Sequence, residues 1–290
     1  MNIPLLPALA LLFNALIFGV SWWPFRALAQ QGLHPLWATT ITYVLSIACL
    51  LAFRPQAWRA LLRYPMLWLL VLAAGLTNVG FNWAITVGDV VRVVLLFYLM
   101  PAWMLLLAWL LLDERPGTGA LLRLGLALAG LLVVLKTPES PWPVPESLPD
   151  WLALMGGFSF ALTNVLLRRL SNTPSDTRVL AMFFGGAVMS AGAAVAGMGI
   201  GLVNAPPTQA GNWLAWVALI SLVLLIGNVA LQYGASRLRA STTALIMLSE
   251  VVFASASSVL LGAAELSLRT LLGGGLIVLA ALLAAVSSQD

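Results

Sequence analysis

Charge is what this chain has least of. Only 8% of its 290 residues are Asp, Glu, Lys or Arg, against about 25% in ordinary soluble domains, so a water-facing surface cannot be assembled from it. Histidine and cysteine are nearly absent, with His34 and Cys49 standing alone. That excludes disulfide frameworks, Cys/His metal clusters and thiol redox motifs. Neither G-x-S-x-G nor H-E-x-x-H occurs, and no ATP-binding motif is present; both intramembrane hydrolysis and primary pumping by this chain are disfavoured. The isoelectric point of 9.8 does not indicate nucleic acid, because the net charge is only +4 and the basic residues sit singly or in small groups. The sequence predicts no cofactor, no metal and no nucleic-acid partner.

Apolar residues are what it has in excess, at 61%, with a mean hydropathy of +1.00. A bilayer-crossing helix needs about 20 of them. Charges and turn residues, driven from hydrocarbon, divide the chain into ten runs, about Leu5 to Leu28, Pro35 to Phe53, Met66 to Gly88, Val91 to Leu112, Gly117 to Leu135, Trp151 to Leu170, Val179 to Leu202, Trp213 to Ser236, Ala240 to Gly262 and Thr270 to Ser287. The breakers include Arg54-Pro55, Arg115-Pro116-Gly117 and Asn204 to Pro207. Apolar residues lie all round each run, which favours helices over barrel strands. Met1 to Leu12 has no basic region and no small-residue cleavage site, so the first run is expected to be a retained span. The fold class read here is an all-α integral membrane protein of ten transmembrane helices.

Basic residues orient the bundle. Arg54, Arg59, Arg63, Arg115, Arg123, Arg168, Arg169, Arg178, Arg237 and Arg239 fall on the side shared with the N-terminus; Arg26, Arg92, Lys136 and Arg269 fall on the other. Positive charge stays cytoplasmic, which places both termini there. The acidic, Pro-rich stretch Thr137 to Asp150 then lies outside.

The two halves are weakly alike. Phe18 to Leu28 (FGVSWWPFRAL) aligns with Phe160 to Leu170 (FALTNVLLRRL), sharing a small hydroxyl at Ser21 or Thr163. Asn78 to Trp83 (NVGFNW) aligns with Asn228 to Tyr233 (NVALQY), each with two amides at i, i+4 and then an aromatic. Glu114 and Glu265 each follow a long apolar run. The three matches keep their order at offsets of 142, 150 and 151 residues. Because each unit holds five helices, an odd number, the second must enter the membrane from the opposite face. The expected organisation is a first repeat over 1–136, a periplasmic linker over 137–150 and an inverted second repeat over 151–290, the common architecture of secondary carriers.

On those residues the chain resembles the EamA type of the drug/metabolite transporter superfamily, over nearly its whole length. Within that superfamily it is similar to the YddG group of bacterial inner-membrane exporters of aromatic amino acids. The resemblance implies ten helices, a central cavity and export. Members often place Glu-Pro near the middle of the fourth and ninth helices; here the pair is split, Met100-Pro101 in one half and Glu250-Val251 in the other.

Polar groups at midspan are the candidate substrate-binding residues, because an amide facing lipid is unfavourable. They are Asn14, Ser21, Asn78, Asn82, Ser159, Thr163, Asn164, Asn228 and Gln232. Each either lines a cavity or ties helices together. Ten of the 12 tryptophans belong to the interfacial belts. Trp83 and Trp103, with Phe97, Tyr98 and Tyr233, are left as an aromatic wall for a planar side chain, or as packing. Pro101 supplies a hinge or simply a kink.

Glu250 is the one acid in the middle of a span. It holds a substrate ammonium, carries a coupling proton, or hydrogen-bonds a neighbouring helix as a neutral acid. No basic residue sits at midspan, so a substrate carboxylate would meet amides, hydroxyls or backbone N–H groups. Asp89 with Arg92 suits a local ion pair, and Ala193, Gly197 and Gly201 a small-residue packing stripe, as does Gly273 to Gly275. Glu114 and Glu265 are expected to anchor helix ends. The function read from the sequence is a secondary carrier in the bacterial inner membrane, exporting amino acids, aromatic and other large apolar ones first. The alternative cargo is a drug, sugar or other metabolite. A channel or an intramembrane enzyme fits less well.

Overall fold

A computed structural model of the chain describes residues 5–88, 90–135, 145–207, 213–262 and 268–286. All regular structure among them is helical: α1 (Leu5–Gln30), α2 (Pro35–Phe53), α3 (Gln56–Arg63), α4 (Met66–Val87), α5 (Val90–Phe97), α6 (Met100–Leu112), α7 (Thr118–Leu135), α8 (Leu148–Arg169), α9 (Ser175–Gly199), α10 (Trp213–Ala235), α11 (Ala240–Met247), α12 (Ser249–Leu260) and α13 (Leu268–Val286). Eight stretches are long and apolar enough to cross a membrane, and two shorter apolar helices, Thr118–Val134 and Leu271–Leu283, accompany them. The chain is a multi-pass membrane protein.

Turn chemistry sets the helix ends. Gly32 at φ 85° turns the chain between α1 and α2, a left-handed conformation that costs glycine little. Pro35 stands in the first turn of α2, where its missing N–H has no partner to lose. Asp113, at φ 55°, ends α6. At the start of α8, Asp150 Oδ2 accepts the backbone N–H groups of Glu146 (2.9 Å) and Ser147 (3.0 Å).

Three features depart from the sequence reading. The connection after the second run folds into a short helix, α3. The fourth and ninth runs are each interrupted: α5 stops at Phe97 and α6 starts at Met100, while α11 stops at Met247 and α12 starts at Ser249. In the first break Pro101 has no N–H to offer, and its ring would crowd the carbonyl four residues back, that of Phe97. The second break has no proline; instead the Ser249 hydroxyl donates to the Ile246 carbonyl at 2.6 Å, competing with the helix ladder for that acceptor. Finally, Gly201 does not continue a packing stripe on α9: it lies past the helix end at φ 74°, and a Cβ on Gly197 would meet only Val203, in the turn that follows.

The close helix crossings lie elsewhere. Gly75 of α4 faces Gly185 of α9, Gly80 of α4 faces Gly156 of α8, and Gly130 of α7 faces Gly273 of α13. A Cβ on Gly130 would stand 2.7 Å from the Gly273 carbonyl oxygen, and one on Gly273 2.5 Å from that of Gly130. Small residues let backbones approach this closely in a bundle where lipid supplies no hydrophobic drive. Packing partners also exchange in pairs. The third run packs on the sixth (α4 on α8) as the eighth packs on the first (α10 on α1), and the broken fourth run packs on α8 as the broken ninth packs on α1. The second and seventh runs pair directly (α2 with α9), as do the fifth and tenth (α7 with α13).

Candidate functional site at the crossed helix breaks

The two interruptions meet. Tyr98, in the gap between α5 and α6, sets its hydroxyl beside the carboxyl of Glu250, in the first turn of α12. Leu248, at the second break, packs in one cluster with Phe97, Tyr98 and Val251. A glycine from the opposite half lies against each break. A Cβ on Gly19 of α1 would fall 2.7 Å from the Glu250 carbonyl oxygen and 2.8 Å from Phe253 Cβ, and one on Gly157 of α8 would overlap the Phe97 carbonyl. The carboxyl of Glu250 is therefore held where four helices converge, α1, α5, α6 and α12. Tyr98 is buried while Glu250 remains partly open.

An aromatic cluster borders the first break. Phe97 packs its ring at a tilt on Phe81, 4.7 Å away, and lies 5.6 Å from Tyr98 and 5.8 Å from Phe160. Phe81 and Phe160 were not singled out in the sequence, since phenylalanine in a membrane helix is ordinary. Three other residues expected in this wall sit apart from it. Trp103 packs its ring on Phe158 at 5.7 Å, and Trp83 packs with Leu36, Ala193, Ala194 and Val203. Tyr233 lies near the end of α10, beneath the Arg237 guanidinium at 3.9 Å. Pro101 is buried in the first turn of α6.

Most of the midspan amides brace neighbouring helices. Tyr43 donates to Asn78 Oδ1 (3.1 Å), and Asn82 Nδ2 donates to Thr39 Oγ1 (2.8 Å), so both amides of α4 grip α2. Gln232 Nε2 donates to the Ser175 carbonyl of α9 (2.8 Å); the eighth run thus grips the seventh as the third grips the second. Asn14 Nδ2 donates to the Gly227 carbonyl (2.9 Å), beside Asn228. Asn164 Nδ2 turns back to the Phe160 carbonyl (2.8 Å), and Ser21 to that of Phe18 (2.7 Å). Four of these candidates keep a buried oxygen without a partner in the chain, Asn14 Oδ1, Thr163 Oγ1, Asn164 Oδ1 and Asn228 Oδ1, on α1, α8 and α10, as do Thr42, Ser190 and Thr243 on α2, α9 and α11. Ser159 is buried on the same helix as Thr163. Buried acceptors left open cost free energy, about 1–3 kcal/mol each, and point to a ligand or water.

One end of the bundle is tied shut by charge. Glu114, just past α6, accepts from Arg168 Nε of α8 (3.4 Å) and from the backbone N–H of Ala240 at the start of α11 (3.1 Å). Arg168 also donates to the Ser236 carbonyl (3.3 Å), and Arg169 to that of Leu111 (2.6 Å). Glu114 does more than anchor its own helix, since it ties the two halves together. At the other end Arg92 pairs with Asp150, at 2.8 and 3.0 Å, and with Glu146 at 3.6 Å. Asp89, Lys136, Trp142 and Glu265 lie outside the described residues. Among the described residues, no group of three or more His, Cys, Asp or Glu is placed to hold a metal ion.

Comparison with known proteins agrees with this architecture. No curated protein matches the chain. Twenty-seven solved chains do. One of them, a structure described only as the crystal structure of a protein, is 20% identical, with a TM-score of 0.78 over 97% of each chain; that likeness concerns the fold. The model of the EamA-like transporter family matches twice, over residues 5–136 and 147–286. With nearly the whole chain covered, this protein belongs to the EamA-like transporter family.

Proposed function

We propose that this membrane transporter is a YddG-type secondary carrier that exports amino acids, aromatic and other large apolar ones favoured, across the bacterial inner membrane by alternating access. The observation that carries the proposal is the meeting of Tyr98 with Glu250 where two interrupted helices cross. Interrupted helices at midspan are how carriers present backbone groups and helix ends to a polar cargo inside a membrane. Glu250 would take the substrate ammonium or a coupling proton. The substrate carboxylate would face the N-terminal end of α6, where helix dipoles favour negative charge. Phe81, Phe97 and Phe160 give a planar side chain a surface to stack on.

Access alternates in this reading between two inverted repeats, 1–136 and 151–290, joined by a periplasmic linker over 137–150, with ten crossings in all. The exchange of packing partners between the halves supports it, because two units related by a twofold axis must swap contacts in this way. The excess of arginine on the face that holds Arg54, Arg59, Arg63 and Glu114 supports a cytoplasmic position for that face and for both termini. The open oxygens of Asn14, Thr163, Asn164 and Asn228 are the substrate-facing hydrogen-bond acceptors. Proteoliposomes loaded with labelled Phe, Trp, Met or a sugar test the cargo. Faster efflux of the aromatic amino acids than from empty vesicles is expected. Efflux equal to empty vesicles for every amino acid removes that assignment, and efflux of the sugar alone installs the other cargo.

A further inference from the structure

Outside the central site, the short helix α3 presents a surface of its own. Three stripes of chemically matched residues run along it at i, i+4 spacing. Ala57 and Leu61 are fully buried, and the helix packs on α9. One stripe further round, Trp58 is 38% and Leu62 58% exposed. Arg59 and Arg63 form the third stripe, both exposed, and exposed Arg54 stands just before the helix. The helix is held in place by rings: Trp58 lies 5.5 Å from Phe184 of α9, which also receives Trp68 of α4 at 6.1 Å.

The guanidiniums here stand close together and lack carboxylate partners. Among the described residues, Arg92, Arg115 and Arg168 pair with carboxylates, whereas Arg54, Arg59 and Arg63 make no ion pair and no side-chain hydrogen bond. No carboxylate is at hand to meet them. Residues 1–88 contain no Asp or Glu, which leaves α2, α3 and α4 without an acid. On α9 the one acid is Asp176, whose Oδ1 is engaged by the Thr177 N–H at 2.8 Å. An uncompensated row of three arginines beside an exposed indole and leucine has the pattern of a helix lying in a lipid interface.

We propose that α3 lies along the membrane surface, with Trp58 and Leu62 in the acyl boundary and Arg54, Arg59 and Arg63 holding the phosphate of an anionic phospholipid. The aliphatic stripe faces protein, the Trp58 stripe faces hydrocarbon and the arginine stripe faces headgroups. Each arginine near an anionic surface contributes about fivefold to affinity, so the three together give a preference for anionic lipid of about a hundredfold.

The test uses the full chain purified in detergent and titrated with dioleoylphosphatidylglycerol or dioleoylphosphatidylcholine, bound lipid being counted by native mass spectrometry. The wild type is expected to retain phosphatidylglycerol preferentially. The triple variant Arg54→Gln, Arg59→Gln, Arg63→Gln should lose that preference at least about tenfold, while lysines at the three positions keep most of it. Arg59→Gln alone, an exposed change with no partner to strand, should lose it several-fold and guards against misfolding of the triple variant. Equal retention in the wild type and Arg59→Gln overturns the proposal. So does an equal loss on changing Arg115 and Arg239 to Gln, which would make the effect one of net charge. Displacement of the lipid by millimolar inorganic phosphate overturns it as well, since a soluble anion would then be the ligand. The assay reads no transport, so its failure and that of the cargo assignment are distinguishable.

Discussion

Tyr98 and Glu250 come from different halves of the chain and bring the two helix interruptions together, hydroxyl beside carboxyl. A carboxyl so placed can exchange its tyrosine partner for a substrate ammonium or a proton. Glu250→Gln keeps the shape and one hydrogen-bond acceptor but removes the charge. Efflux should fall at least about tenfold, the scale of one lost charge-assisted hydrogen bond, and what remains should ignore an imposed pH gradient. Wild-type flux that responds to the gradient, unchanged in the variant, would assign Glu250 to structure alone. Tyr98→Phe should retain the fold and alter the pH profile of transport.

The glycines at the breaks make a prediction about stability. A side chain at Gly157 would overlap the Phe97 carbonyl, and a backbone atom cannot swing aside. Gly157→Val should lower unfolding stability in detergent by about 1–3 kcal/mol or more. Gly192→Ala, where nothing lies within 4 Å of an added Cβ, should leave the melting temperature in place. Equal behaviour of the two variants would contradict the crossing described here.

Glu114 bonds both Arg168 and the Ala240 N–H, and so closes one end of the bundle. Its loss should favour the conformation open at that end. In a Cys49→Ser background, maleimide labelling of Ser236→Cys, at a buried position, should rise several-fold when Glu114→Ala is added. A shift of about 1.4 kcal/mol already gives tenfold. Unchanged labelling would mean that the ion pair is ornamental.

Arg92 and Asp150 form a two-pronged pair, and Asp150 is 1% exposed. Asp150→Asn removes the two-pronged charge partner of Arg92 and weakens two backbone hydrogen bonds at the start of α8. A loss of about 3 kcal/mol in denaturant unfolding is expected. Arg92→Lys should recover only part of the wild-type value, because a lysine cannot reproduce the fork.

His34 caps α2 by accepting the Leu36 N–H at its Nδ1 (3.2 Å), and burial holds its pKa below the ordinary value of 6.5. Folding therefore favours the neutral ring. The contribution is fully present above 6.5 and is lost as the pH falls through the lower value of the folded state. Comparing the acid melting of His34→Asn, which keeps a capping acceptor that does not titrate, with that of the wild type checks this.

Apolar helices could be read directly from the chain, because hydrocarbon tolerates so few alternatives that charge and proline mark their ends; eight stretches are long and apolar enough to cross, and two helices are shorter. The first break was half legible, since Pro101 announces a disturbance but not that Tyr98 would leave the helix. The second was hidden, as Ser249 is an unremarkable serine until its hydroxyl is seen to take the Ile246 carbonyl. The contact between the breaks could not be read at all, because no local pattern relates Tyr98 to Glu250. Similarly, no local pattern relates Arg92 to Asp150, which the structure brings to it from a distant helix. α3 was within reach: Ala57 with Leu61 and Arg59 with Arg63 show helical spacing, but flanking prolines and three arginines gave the segment the look of a plain connection.

The reciprocal contact of Gly130 with Gly273 has an evolutionary consequence. The two helices come one from each half of the chain, and each glycine stands where a Cβ would strike the other's carbonyl oxygen. The family model matches each half separately, as though two half-length units had been joined at their ends. Severed between residues 135 and 145 and co-expressed, the protein's two pieces should find each other again through that contact.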